Sequence, residues 1–94
     1  MEDGKQGHYQ CLEGLDVHEA EDGLVVFNPV TDSVHHLNHT AGVLFELCAE
    51  PVTLDKLSAL VAELYELEQA PMEEITAGLA KLVEEGVVIE HHGD

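Results

Sequence analysis

Ninety-four residues suffice for one small domain with a single core, and 45% of them are hydrophobic, an ordinary fraction for a globular protein. Twenty acidic residues against three basic ones give a formal net charge of −17, which repels the phosphates of nucleic acid and the anionic surface of a membrane. We therefore expect neither as a partner, and no apolar run approaches the roughly 20 residues of a membrane span.

The two cysteines, Cys11 and Cys48, are far apart and lack the spacing of a metal-binding pair. Two free thiols are more typical of a reducing compartment than of a disulfide framework. The polar, acidic start of the chain does not resemble a signal peptide, so we expect a cytoplasmic protein. We expect residues 1–14 to form a flexible acidic and polar tail, residues 15–90 one domain, and residues 91–94 a second tail.

Three short segments in the N-terminal third have the composition of strands. The first lies at residues 15–20, and the Asp22-Gly23 pair that follows is a strong signal for a hairpin turn. The clearest strand lies at residues 24–27. Turn-forming residues then reverse the chain, and residues 34–37 return as a third strand. The sequence predicts a three-stranded antiparallel meander.

After the third strand the apolar residues recur at the helical spacing of about 3.6. Three helices are predicted, with Asn38 and Thr53 as N-caps of the first two and Pro71 as the first residue of the third. Gly86 should end the third helix, and residues 87–89 could add a final strand to the order β-β-β-α-α-α, an α+β fold. The stripes expected to face the core are Ala41, Leu44, Leu47 and Cys48, then Leu57, Leu60, Val61 and Leu64, and finally Met72, Ile75, Leu79, Leu82 and Val83.

The third strand and the third helix offer a site for an extended peptide. An edge strand has unpaired N–H and C=O groups, and residues 33–37 lack the Lys or Pro that usually prevents pairing with another strand. The third helix is apolar over about 200°, roughly twice what burial against a core needs. Either this surplus lines a groove or the helix is buried more completely in a small bundle. The candidate peptide-binding residues are Ser33, Val34, His35, His36, Leu37, Met72, Ile75, Thr76, Gly78, Leu79 and Leu82.

The two faces of the third strand stay undecided. Val34 and Leu37 are three residues apart, so a regular strand places them on opposite faces. Either a bulge lies between them or Leu37 belongs to the turn into the first helix. The same spacing leaves open which of His35 and His36 faces the helix.

No sequence motif of an enzyme or of a metal site is present. The chain has no phosphate-binding loop, no nucleophile elbow, and no Cys or Ser with an obvious base. His35, His36 and His39 are close in sequence, but neighbouring strand residues point to opposite faces, and no Cys or carboxylate lies at zinc spacing. We therefore predict no catalytic residues, no metal and no cofactor. The glutamates of the third helix are expected to form a solvated face: Glu73, Glu74, Glu84 and Glu85.

Four segments match a known pattern in order and spacing. They are DGLVVFNP at residues 22–29, SVHHLNHTA at 33–41, TLDKL at 53–57 and LVEEGVV at 82–88. Together they resemble the PqqD type of peptide chaperone, which is named for pyrroloquinoline quinone biosynthesis. The resemblance implies a winged-helix-like domain, the recognition element (RRE) of ribosomally made, modified peptides. It further implies that a leader peptide adds as a strand beside the third strand and packs against the third helix.

The resemblance and the absent motifs lead to one expected function. We expect a stand-alone, non-catalytic domain that binds the leader region of a ribosomally synthesised precursor peptide and delivers it to a modification enzyme. Such an enzyme could be a radical SAM maturase, a cyclase or a leader peptidase. The alternatives are a general protein–protein adaptor without a peptide substrate and a winged-helix DNA-binding regulator, and the net charge argues against the latter.

Overall fold

Eight elements follow one another along residues 7–91, the part of the chain that the computed structural model describes. They are β1 (His8–Cys11), β2 (Asp16–Ala20), β3 (Gly23–Asn28), β4 (Ser33–Asn38), α1 (His39–Leu47), α2 (Leu54–Leu64), α3 (Met72–Glu85) and β5 (Val88–His91). The predicted order of three strands and three helices is confirmed, and with it the α+β fold class.

The predicted meander forms an antiparallel sheet with the strand order β2-β3-β4. A turn at residues 21–22 joins the first two strands, so that Ala20 pairs with Gly23. Gly23 has a φ of 158°, and a Cβ atom at this position would overlap the carbonyl oxygen of Leu37 in β4. The Asp-Gly signal therefore marks the turn, while the glycine itself is needed because β4 passes so close.

Asn28 determines the turn between β3 and β4. Its side-chain Oδ1 accepts a hydrogen bond from the N–H of Val30 at 2.9 Å, and its carbonyl oxygen accepts one from the N–H of Asp32 at 2.7 Å. Asp32 adopts the left-handed conformation, with a φ of 60°, which Asp tolerates better than most residues. This turn places Ser33 opposite Asn28 and so sets the register of β4.

β4 is a regular strand. It pairs with β3 without interruption from Ser33, opposite Asn28, to Asn38, opposite Gly23. Val34 and Leu37 accordingly lie on opposite faces. Both explanations offered from the sequence are wrong, since no bulge separates these two residues and Leu37 is still within the strand.

Local signals define the helix ends. Asn38 and Thr53 each accept a hydrogen bond from a backbone N–H three residues later, at 2.8 and 3.1 Å, as predicted for N-caps. α3 begins one residue after Pro71, and it ends at Gly86, whose φ of 83° is the left-handed conformation expected of a glycine terminator.

The core lies between one face of β3 and β4 and the three helices. Leu64 and Met72, which were predicted to face the core, are instead exposed. Both lie at helix ends, at the corner where α2 leads into α3, beyond the stretch in which the helices pack together. The largest fully buried side chains are Leu44, Leu57, Ile75, Leu82, Val26, Val87, Val88 and Cys48.

A strand forms within the segment predicted to be an N-terminal tail. β1 pairs with β5 in an antiparallel ribbon, from His8↔His91 to Cys11↔Val88. Its other edge is bonded as well: the N–H of Tyr9 donates to the carbonyl of Val52 at 2.7 Å, and the N–H of Val52 donates back at 3.0 Å. β1 is therefore held mainly by backbone hydrogen bonds. Because such bonds do not require apolar side chains, its polar sequence did not predict a strand.

His91, assigned from the sequence to the second tail, is the last residue of β5. The remainder of the two predicted tails, residues 1–6 and 92–94, lies outside the described residues.

Both cysteines are free thiols beside this ribbon. The N–H of Cys11 donates to the carbonyl of Cys48 at 2.9 Å, and the Sγ–H of Cys11 donates to the carbonyl of Phe45 at 2.8 Å. Burial raises the pKa of Cys11 to about 11 and that of Cys48 to about 12. The neutral thiol is therefore favoured at both positions.

Substitution of Gly23 by alanine should destabilise the domain by roughly 2–4 kcal/mol, because the new methyl group meets the backbone of a paired strand. Gly86→Ala is the matched control: Gly86 also has a positive φ, but a Cβ atom there meets nothing within 4 Å, so about 1 kcal/mol should be lost. Urea denaturation measures both. If both variants lost the same free energy of unfolding, the close approach of the Leu37 carbonyl would not be the reason for the glycine at position 23.

Native Cys11 should react slowly with iodoacetamide at about pH 8, since raising its pKa from 9.0 to about 11 lowers the thiolate fraction roughly 100-fold. Cys48 should react more slowly still, because it is fully buried. Mass spectrometry of timed samples, compared with protein in denaturant, gives the rates. Native and denatured protein that react at the same rate would contradict the burial of these thiols.

Candidate functional site

β4 is an edge strand. β3 pairs with one of its sides, and on the other side no backbone hydrogen bond joins it to any other segment within residues 7–91. β2 is the opposite edge of the same sheet. The sheet thus presents two edges at which another extended segment could pair.

The register decides which side chains of β4 face the helices. In an antiparallel pair, directly opposite residues have their side chains on the same face. Leu37 and His35 lie opposite buried residues of β3, so they face the helices together with Ser33. Val34 and His36 are exposed on the other face. The question that the sequence left open is thereby answered: His35, not His36, faces the helices.

A small polar network joins β4 to the C-terminal end of α3. His35 Nδ1 lies 3.0 Å from Glu85 Oε1, and the Nζ of Lys81 lies 3.4 Å from Glu85 Oε2. On the strand side, His35 Nε2 lies 3.2 Å from Ser33 Oγ, which in turn lies 2.6 Å from Thr31 Oγ1. The side chains of His35 and Glu85 are only 16% and 25% exposed, so the contact is partly shielded from water.

Glu85 and Lys81 were not among the candidate site residues. Glu85 was expected on a solvated acidic face, and the structure contradicts this, because its carboxylate lies between a histidine and a lysine. One feature of the sequence could have indicated that Glu85 lies on the same side of α3 as the candidate residue Gly78. Glu85 follows Gly78 by seven residues, which places the two about 20° apart around the helix.

The candidate residues of α3 divide between different sides of the helix. Gly78 faces α1, where a Cβ atom would lie 2.7 Å from Cδ1 of Leu44. Thr76, two residues earlier, lies about 160° around the helix from Gly78. It lines a separate cavity of about 320 Å³ together with Tyr9 and Leu54. The structure therefore places Gly78 and Glu85 on the flank next to β4 and α1, and Thr76 on the other flank.

The remaining candidate residues of α3 lie either in the core or at the N-terminal end of the helix. Ile75, Leu79 and Leu82 are buried in the core, where they hold α3 against its neighbours. Met72 lies in the first turn of α3, about 20 Å along the helix from Glu85. The wide apolar arc thus contacts several neighbours rather than lining one continuous groove.

Within residues 7–91 the side chains are not arranged as a metal site. His35 and His36 point to opposite faces of β4, and between residues 7 and 91 no three His, Cys, Asp or Glu side chains are placed to hold an ion together. In the same part of the chain, no helix has the length and apolar character needed to cross a membrane. What this region does offer is a strand edge beside a helix flank.

Residues 23–88 match the family model described as PqqD, coenzyme PQQ synthesis protein D. No curated protein and no solved structure matches the chain. The matched region covers more than two thirds of the 94 residues and includes β3, β4 and all three helices. The resemblance noted from the sequence is confirmed: the chain belongs to the PqqD family, a membership that supports a non-catalytic, peptide-binding accessory role in the biosynthesis of modified peptides.

Proposed function

We propose that this domain binds the leader region of a ribosomally synthesised precursor peptide as a strand added to β4, and delivers it to a modification enzyme. The observation that carries the proposal is the unpaired edge of β4, which the contact between His35 and Glu85 holds beside α3. Backbone hydrogen bonds would supply affinity, and the side chains along the edge would supply specificity. Binding and delivery of the leader would take place in the cytoplasm, where ribosomes make the precursor.

Edge β4 suits a peptide better than edge β2. All five residues of β2 are exposed, and it includes two acidic residues, Asp16 and Glu19. A peptide strand added there would lie next to these carboxylates and to Glu46 of α1, which lines a cavity together with Glu19. A strand added to β4 would instead have the C-terminal end of α3 on its inner side, where His35 contacts Glu85.

The proposed site consists of the edge residues Ser33, Val34, His35, His36 and Leu37 and the helix residues Lys81 and Glu85. Inward-facing residues of the leader would meet the network around His35, while outward-facing residues would lie next to Val34 and His36. Lys81 is the cation of this network in a chain with a net charge of −17. It would favour an acidic or polar leader residue at the adjacent position.

Val34→Pro should weaken leader binding at least about tenfold, because proline cannot donate a backbone hydrogen bond and its ring hinders pairing. The matched control is Val17→Pro in the other edge strand, since Val17 and Val34 are similarly exposed, at 43% and 54%. Fluorescence anisotropy with the labelled leader of the precursor encoded nearest this gene gives the affinities. Circular dichroism verifies that the helices remain.

A second measurement needs no substitution. On addition of the leader, hydrogen exchange should slow at amides of β4 and stay unchanged in β2, because a new strand would protect only the edge that it pairs with. Equal losses of affinity in the two proline variants, or unchanged exchange in β4, would contradict strand addition at this edge. A domain that binds the enzyme but no leader would be an adaptor without a peptide substrate.

Removal of the contact between His35 and Glu85 should weaken leader binding while costing only about 0.5–1 kcal/mol of stability, because both side chains are partly exposed. We expect His35→Ala and Glu85→Ala to weaken binding to a similar degree, and the double variant to bind no worse than the weaker single one. Glu84→Ala is the control, since Glu84 lines the cavity on the other flank. Additive losses in the double variant would show that the two side chains act independently.

A further inference from the structure

An apolar cavity of about 410 Å³ lies between α1, α2 and the start of α3. Tyr65 and Leu67 form part of its wall and are nevertheless 44% and 43% exposed, so the cavity opens to solvent along apolar side chains. Its other apolar lining residues are Val43, Leu44, Val61, Pro71 and Ile75.

Exposed hydrophobic residues cluster at this corner. Leu64 and Met72 are exposed by 56% and 42%, and together with Tyr65 and Leu67 they make up half of the large hydrophobic residues exposed within residues 7–91. All four lie in positions 64–72. Single exposed hydrophobic residues are ordinary on a protein surface, whereas a cluster rimmed by polar residues is typical of an interaction site.

The rim that α2, α3 and the loop between them give this corner is acidic, while His39 at the start of α1 lines the cavity and its Nε2 lies 3.3 Å from the Tyr65 hydroxyl. No Lys, Arg or His occurs from residue 57 to residue 80. Glu74 itself lines the cavity. The glutamates of the corner, all exposed, are Glu63, Glu66, Glu68, Glu73 and Glu74.

The backbone after α2 turns Leu67 back toward the cavity. Glu66 adopts the left-handed conformation, with a φ of 57°, and the N–H of Leu67 donates to the carbonyl of Ala62 at 2.8 Å. Glycine is the usual residue for this way of ending a helix, and another residue there costs about 1 kcal/mol. The chain thus has a carboxylate at a position where glycine would be more stable.

We propose that this corner docks a basic surface of a partner protein, with a Leu, Ile or Phe side chain of the partner in the cavity and its Lys or Arg side chains on the surrounding glutamates. A second copy of this chain does not fit, because its own net charge of −17 would repel the corner. Nucleic acid and anionic membranes are disfavoured for the same reason. Given the proposed function, the partner is the enzyme that receives the peptide.

The corner and the peptide site can be occupied at the same time. Glu74 at the corner and Glu85 beside β4 are eleven residues apart on α3, which corresponds to about 16 Å along the helix. An enzyme docked at the corner would therefore leave the edge of β4 around His35 open for the leader.

The first test uses a synthetic pentapeptide, with phenylalanine between two pairs of lysines, titrated onto the ¹⁵N-labelled full chain. We expect amide shifts at Val43, Leu67 and Ile75, which line the cavity, and none at residues 33–35. A peptide with alanine in place of phenylalanine has the same charge and should shift the cavity residues much less. Equal shifts with both peptides, shifts spread over the whole acidic surface, or no shifts would overturn the proposal.

The second test uses two charge-matched double variants and the modification enzyme encoded nearest this gene. Glu68→Lys with Glu74→Lys alters the corner, while Glu13→Lys with Glu19→Lys alters exposed positions elsewhere, and each pair changes the net charge by four, from −17 to −13. The first pair should weaken binding of the enzyme at least about tenfold and the second less than about threefold. Equal effects would overturn the corner as the docking surface.

Leader binding, measured on the same variants, separates the two proposals. If the leader binds normally and the corner variants do not affect the enzyme, the docking surface is wrong and the proposed function stands. If no leader binds, the proposed function fails, and the pentapeptide titration still decides whether the corner takes a basic, apolar ligand.

Discussion

The pairing of β3 with β4 is the constraint on which the rest of the site depends. Its uninterrupted register places Leu37 in the core and His35 within reach of Glu85. A slip of one residue would turn both side chains to the opposite face, because side chains alternate along a strand. Asn28 prevents this slip, since its hydrogen bonds within the turn fix where β4 begins. A surface turn thereby decides which histidine meets the helix.

Features with short-range causes could be predicted from the sequence. Asn38 and Thr53 cap their helices through hydrogen bonds that span three residues, and Gly86 ends α3 through its own conformation. The missed features have partners far along the chain: His35 and Glu85 are 50 residues apart, and β1 pairs with the last strand. No local pattern encodes such pairs. The side of α3 that meets each neighbour likewise depends on tertiary packing.

α3 shows how one helix can serve several neighbours. Its apolar arc is wider than a core stripe requires, and the two explanations considered from the sequence were a groove and deeper burial. The structure divides the arc: Ile75, Leu79 and Leu82 enter the core, Gly78 approaches α1, and Thr76 lies on the opposite flank. A cavity and an acidic rim occupy one end of the helix, and a polar network occupies the other.

The ribbon of β1 and β5 has a consequence for how this domain can be joined to other proteins. Because His8 pairs with His91, the two ends of the described chain lie side by side, about 5 Å apart. A domain with adjacent ends can be inserted into a loop of a larger protein without being pulled apart. Trimming the chain to the matched residues 23–88 would instead remove β1 and leave the backbone groups of Val52 without their hydrogen bonds. The ribbon, most of which lies outside the matched residues, therefore closes the domain into a unit suited to fusion.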